Sequence, residues 1–335
     1  MRRNALQTRR LGRTREPEAS ERILLRSLGH HLDEMMSAAE KDPLIGKRLR
    51  EYVILDLIGK GGMAKVYKAR HVLLDQIRAI KFLRPELRER QEYIARFHRE
   101  ARVMVRVKNR HVVTLHEFGT VGGELFFLVM EFLEGESLRK RLRRTSWLPT
   151  AEAVRIVQQI ALGLVDVHKL GIVHRDISPD NILIVPEDGK EIVKIIDFGI
   201  AKNTAPGTVK ITQTMKLVGK AEYVAPEQIY GPMGADDHGV DGRADIYSLG
   251  VTFYELLAGV KPFEASTSKA LLAKHLTEEP KGLSEANPRV RVSPAIESIV
   301  LRMLAKSPSD RPASMDRLYM ELAALAHDAP VLTPV

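Results

Sequence analysis

From Tyr52 onward the apolar positions fall in short runs. The stretches "YVILDLIG", "KVYKARHV" and "IRAIKFL" read as successive strands. A helix is predicted near residues 90–107. Two further strands follow at "VVTLHEFGT" and "ELFFLVMEFL", parted by a turn at Gly122 and Gly123. After Gly135 the pattern becomes helical. "TAEAVRIVQQIALGLVDVHKLG" is an amphipathic helix that Gly171 ends. "DIYSLGVTFYELLAGV" is the most apolar long segment, but it carries Glu255 and stops at Gly259, so it reads as a buried core helix. Upstream, Ile23, Leu24, Leu28, Leu32, Met35, Met36 and Ala39 keep helical spacing between Pro17 and Pro43, a stripe of the kind that packs on its parent domain. Strands first and helices after predict an α+β fold with two unequal lobes and a ligand cleft between them.

Composition narrows the function classes. A chain of 335 residues can bury a sizeable core, and 44% apolar with 28% charged residues is ordinary for a soluble protein. With no cysteine, structural disulfides and thiolate metal sites are excluded, and a reducing, cytoplasmic location is expected. No run of 18 apolar residues occurs, so no membrane span is predicted, and the N-terminus lacks the apolar core of a secretory signal. The net charge of +9 is uneven: residues 1–15 hold six Arg and no acid. Such a block is usually a solvated tail; the sharper reading is an arm that touches an acidic partner or surface. Nucleic acid is not the expected partner, because aromatics are only 5% and neither basic–aromatic alternation nor zinc-finger spacing occurs.

Four features carry chemistry. In "IGKGGMAKVY", Gly59 and Gly61 let backbone N–H groups approach a phosphate, although glycine turns between strands are common. Lys81 lies on an apolar strand, where a charge needs a partner, and Glu100 on the following helix can supply it. Asp176 and Asn181 stand five apart in "HRDISPDN", and Asp197 opens "DFG" after the strand "EIVKII". Two acids and an amide near a glycine-rich turn suit Mg²⁺, which takes few protein oxygens. Each feature alone has a duller explanation as a cap or turn; their joint occurrence in this order does not.

The set "GKGGMAKV", "AIK", "HRDISPDN", "DFG" and "APE" (Ala225–Glu227) resembles the signature of a eukaryotic-like bacterial Ser/Thr protein kinase, over about residues 50–327. The resemblance implies a two-lobed protein-kinase fold. Residues 1–48 would form a basic arm plus an amphipathic helical extension. The kinase domain would span 49–327, with a small β-rich N-lobe at 49–133 and a helical C-lobe at 134–327. A short tail, 328–335, would follow. It also implies ATP with Mg²⁺ or Mn²⁺ as cofactors and Ser or Thr hydroxyls of proteins as acceptors. Asp176 would accept the hydroxyl proton, Asn181 and Asp197 would hold the metal, and Lys81, oriented by Glu100, would bind the α/β-phosphates. Ile58, Gly59, Lys60, Gly61 and Gly62 would cover the phosphates. Adenine would sit between Val66 and Ala79 above and Leu183 below, beside Met130, against backbone groups of Glu131 and Leu133. His174, Phe198, Met104 and Leu115 match the family's internal apolar stack over Asp245, and Glu227 with Arg311 its structural ion pair. Thr212 and Thr214 in "VKITQTMKLVGK" resemble autophosphorylated positions of bacterial relatives, and Arg175 could pair with such a phosphate. Two other readings are a nucleotide-binding pseudokinase scaffold and a small-molecule kinase. The "APE" element and the long segment before it argue against the second.

This chain departs from the family pattern at several positions. Ala64 replaces the third loop glycine, and Gly231 to Gly242 is longer than in simple members. Ser178 replaces the catalytic-loop Lys, while Lys220 stands where a Thr is usual. The last two read as an exchange: Lys220 would reach toward Asp176 and the γ-phosphate, with Ser178 hydrogen-bonding it.

Overall fold

Alternation along the first strands builds the small lobe. The computed structural model describes residues 42–328 apart from 88–89, 122–124, 199–220 and 231–239. The arm, most of the predicted first helix, the Gly122-Gly123 turn, Thr212, Thr214, Lys220 and most of the 231–242 stretch therefore lie outside the described residues. Six strands, β1 (Arg48–Leu49), β2 (Tyr52–Lys60), β3 (Ala64–His71), β4 (Ile77–Leu83), β5 (Leu115–Val121) and β6 (Leu125–Glu131), form an antiparallel sheet in the order β1-β2-β3-β4-β6-β5. In β4, Ile80 and Phe82 join Tyr52, Ile54, Tyr67 and Phe127 on one face. Leu83 packs on the other face against Tyr93, Phe97 and Ala101 of α1 (Gln91–Arg106). A period of two therefore sends Lys81, the same parity as Leu83, toward the helix.

The chain just before the sheet is part of this packing. Asp42 accepts from Lys65 Nζ at 2.6 Å and Tyr67 Oη at 2.8 Å, and Gly46 and Lys47 exchange backbone bonds with Ile54. The predicted strand "VVTLHEFGT" starts later than its apolar run suggests. Val113 N–H donates to Ile195 of the large lobe at 2.9 Å, and Ile195 N–H donates to His111 at 2.8 Å. His111 and Val113 thus tie the lobes together, and regular pairing with β6 begins only at Leu115.

The large lobe opens with β7 (Glu136–Ser137), α2 (Leu138–Thr145) and α3 (Thr150–Lys169). Next come β8 (Ile182–Glu187) and β9 (Lys190–Ile195), giving a sheet ordered β7-β8-β9. Gly135 is needed for this junction, because a Cβ there would lie 2.2 Å from the Ile184 carbonyl oxygen. The remaining helices are α4 (Pro226–Tyr230), α5 (Arg243–Ala258), α6 (Ser268–Thr277), α7 (Leu283–Ala286), α8 (Pro294–Met303) and α9 (Met315–Asp328). The core helix α5 is buried from Ala244 through Ala258 and ends at Gly259, whose φ of 73° is the left-handed cap glycine permits.

Arg311 and Glu227 form a two-pronged pair at 2.6 and 2.9 Å. The other guanidinium hydrogens go to carbonyls of Ala305, Lys306 and Arg243. Removing one partner leaves a buried charge uncompensated, so Glu227→Ala should cost about 3–5 kcal/mol. A urea titration reads this as a lower midpoint at constant slope; an unchanged midpoint would contradict the buried-pair argument.

Candidate active site

Three elements meet at Lys81. Its ammonium bonds Glu100 Oε1 on α1 at 2.7 Å and Asp197 Oδ1, just past β9, at 2.6 Å. Burial alone would lower the Lys81 pKa, but the carboxylates of Asp197 and Glu100 reverse this and raise it. Lys81 is therefore cationic at neutral pH. Burial pushes the Glu100 carboxyl up, with Lys81 opposing it and the charge on Asp197 adding to it. The sequence-predicted partner is confirmed as a contact, and Asp197, 116 positions away, joins it.

The catalytic-loop candidates are held from below by Asp245 on α5. Its fully buried carboxylate accepts the backbone N–H groups of His174 at 2.8 Å and Arg175 at 2.7 Å, and contacts His168 Nε2 at 2.8 Å. These bonds hold Arg175 at φ 65°, a conformation a bulky side chain rarely adopts. The rings of His174 and Phe198 pack 4.9 Å apart, and Phe198 shares a core cluster with Met104, against which Leu115 packs. Beyond this bend, Asn181 Nδ2 donates to the Asp176 carbonyl at 2.8 Å and to Asp176 Oδ2 at 2.9 Å. Asn181 O accepts from Ile196 N–H at 3.0 Å, linking the loop to the strand that delivers Asp197.

The donor set fits a hard divalent cation. Asn181 uses both amide hydrogens on Asp176, which leaves its amide oxygen as the end for a metal. Asp197 offers a carboxylate that is 47% exposed. Among the described residues no cluster of three or more His, Cys, Asp or Glu could hold a metal alone. A cation here would therefore draw on phosphate and water oxygens as well.

The adenine-slot candidates lie on β3, β4 and β6 of the small lobe and on β8 of the large one. Val66 stands opposite Lys81 across β3 and β4, and Ala79 opposite Met130 across β4 and β6. Leu183 lies on β8, in the large lobe. Glu131 N–H already donates to Thr114 O at 3.0 Å, so a ligand at this edge would take its carbonyl. Leu133 follows the end of β6 and is partly buried. Ile58, Gly59 and Lys60 close β2, and Gly61 N–H bonds Ala64 O at 2.9 Å. A Cβ at Gly62 would meet nothing within 4 Å, so the space over this turn is open to a ligand. Ser178 is fully buried next to this site.

One neighbouring group escaped the sequence reading. Arg139 on α2 bonds Glu255 Oε1 at 2.7 Å, Asp180 of the catalytic loop at 3.3 Å and the Tyr223 hydroxyl. The available signal was Glu255 itself, an acid inside an otherwise apolar helix that had to find a cation.

The protein kinase domain family model matches residues 52–322. Serine/threonine-protein kinase pkn3 of Myxococcus xanthus is 37% identical over 87% of this chain and 53% of its own length. Serine/threonine-protein kinase PrkC of Bacillus subtilis is 38% identical over 80% of this chain and 39% of its own length. The chain thus spans about half or less of these relatives. The solved PknI kinase domain of Mycobacterium tuberculosis matches with a TM-score of 0.65 at 26% identity, covering 85% of this chain and all of that one. Motif order, the Lys81–Glu100–Asp197 contact and these matches agree: the chain belongs to the protein kinase family, in its eukaryotic-like bacterial serine/threonine branch.

Proposed function

We propose that this chain transfers the γ-phosphoryl group of ATP to Ser or Thr hydroxyls of proteins. The observation that carries the reading is the joint placement of Lys81 against Glu100 and Asp197, with Asn181 bonded to Asp176. Lys81 holds the α/β-phosphates. Asp176 accepts the proton as the acceptor oxygen bonds Pγ and the bond from Pγ to the ADP oxygen breaks. Mg²⁺ or Mn²⁺ held by Asn181 and Asp197 would neutralise developing phosphate charge. Ile58 to Gly62 cover the phosphates; Val66, Ala79, Met130 and Leu183, with backbone groups of Glu131 and Leu133, seat adenine. Catalysis of this kind needs positioning and charge neutralisation rather than a covalent intermediate. The pseudokinase alternative gains no support, since Lys81, Asp176, Asn181 and Asp197 are all retained. Incubating the protein with Mg-ATP and mapping phosphosites by mass spectrometry tests the reading; no incorporation on the chain or on a Ser/Thr acceptor would reject it.

Thr212 and Thr214 are the proposed autophosphorylation positions. A phosphate adds about −1.5 to −2 charge, and Arg175, whose backbone N–H is held by Asp245, is the proposed cation for it. A Thr212→Ala/Thr214→Ala double variant should lose activity while keeping its fold. Full activity in that variant would exclude the switch. Among the described residues no helix is long and apolar enough to cross a membrane. For the Arg-rich arm we propose an acidic protein or surface as partner, and for the chain a cytoplasmic location.

A further inference from the structure

The glycine turn hangs from the ends of β2 and β3, where Lys60 pairs with Lys65 and Gly59 with Val66. Within it, Gly61 N–H donates to Ala64 O at 2.9 Å, and Met63 O accepts from Arg84 N–H, just past β4, at 2.9 Å. Alternation splits β3 between two faces. Val66 packs against the cluster that holds Ala79 and Met130. Tyr67 takes the other face, with Tyr52, Ile54, Phe82 and Phe127, and Lys65 shares its parity.

A carboxylate from outside the chemical motifs grips that second face. Asp42 accepts from both Lys65 Nζ, at 2.6 Å, and Tyr67 Oη, at 2.8 Å, and its side chain is 8% exposed. Asp42 is itself well anchored. Its Oδ1 accepts from Leu44 N–H at 3.2 Å and its carbonyl from Ile45 N–H at 3.0 Å. Leu44 packs on the Tyr67 cluster, and Gly46 and Lys47 bond the backbone of Ile54 in β2. Burial alone would raise the Asp42 pKa, but the bonds from Lys65, Tyr67 and Leu44 lower it, so the group is charged at neutral pH. One carboxylate thus ties the strap of residues 42–47 to the two β3 residues that flank Val66.

We propose that Asp42 is a positioning residue for the nucleotide: through Lys65 and Tyr67 it fixes β3, so that Val66 and the glycine turn keep one height over adenine and phosphates. This role rests on Ile58 to Gly62 and Val66 covering ATP as proposed. Ladder bonds join strands edge to edge and leave the end of a sheet free to bend across its face. Asp42 acts across that face. When the turn lifts, only the remaining competent fraction binds, and affinity falls in proportion.

Calorimetry of Mg-ATP binding and initial rates against ATP concentration test this, at a temperature where every variant is folded. Asp42→Ala should raise both Kd and KM for Mg-ATP about tenfold, as misplaced binding groups do. Its kcat should stay within about twofold, because Lys81, Asp176 and Asp197 are untouched. Lys65→Met should behave alike, and combining the two should add little, since they act as one unit. The exchanged pair Asp42→Lys/Lys65→Asp should recover most of the affinity. As a control, Glu117→Ala removes the 2.7 Å ion pair with Arg50 elsewhere in the same lobe and should leave KM unchanged. Wild-type affinity in Asp42→Ala, no recovery in the exchanged pair, or an equal loss in Glu117→Ala would overturn the proposal, the last by showing general loosening of the lobe. A wild-type chain that does not bind Mg-ATP would reject the phosphoryl-transfer reading as well; wild-type binding with an indifferent Asp42 rejects the positioning role alone.

Discussion

Asp176→Asn lowers the rate of phosphoryl transfer by about 10²–10⁴, the usual contribution of a positioned general base. The substitution is nearly isosteric. Its oxygen can still accept from Asn181 Nδ2, and the loop is still held by Asp245 through His174 and Arg175. The loss should therefore appear in kcat, with nucleotide affinity and thermal stability little changed. Lys81→Met should fail differently. It removes the cation between Glu100 and Asp197, so two carboxylates are left facing each other and the phosphates lose their anchor. That variant should lose nucleotide affinity as well as rate. Initial rates on a Ser/Thr acceptor, with ATP binding by calorimetry, separate the two signatures. Either variant at wild-type rate would remove the proposed assignment of roles.

Much of this frame was legible because each part has a local cause. The strands of the small lobe show their alternation directly, and α3 and α5 show both their apolar faces and the glycines that end them. The pairing of Lys81 with Glu100 was legible too, since an ammonium on a buried strand needs a carboxylate and the next helix offers one. Long-range partners were not, apart from Glu227 and Arg311, which the family resemblance implied. No rule of spacing joins Lys81 to Asp197, or Arg139 to Glu255, because folding rather than sequence proximity brings them together. The apolar run at Val112 and Val113 shows the same limit. Its residues qualify for a strand, but Val112 N–H turns back to Asn109 and Val113 N–H bonds Ile195 of the other lobe. Gly135 could be read as a turn, but the steric demand behind it is visible only once Ile184 is in place.

Lys220→Thr should slow transfer by about 10²–10³, the effect of losing one preorganised donor at developing charge. The side chain of Ser178 is fully buried beside the Asp176–Asn181 bond, and its hydroxyl has no hydrogen-bond partner among the described residues. An unsatisfied buried hydroxyl costs about 1–3 kcal/mol, so a partner is needed. Lys220 lies outside the described residues, but the sequence places an ammonium there where the family pattern has a Thr, and a hydroxyl at 178 where it has a Lys. We propose that the two positions have exchanged roles, with Lys220 bringing its charge to Asp176 and the γ-phosphate and Ser178 bonding the ammonium. A compact charge on a flexible stem suits that reach. Ser178→Lys alone would put two cations at one place and should also slow the reaction. The double variant Lys220→Thr/Ser178→Lys restores the family arrangement and should recover much of the loss, because residues in contact are not additive. Initial rates of both single variants and the double at saturating Mg-ATP decide the matter. A Lys220→Thr rate equal to wild type, or a double variant no faster than Lys220→Thr, would leave Lys220 an ordinary surface lysine.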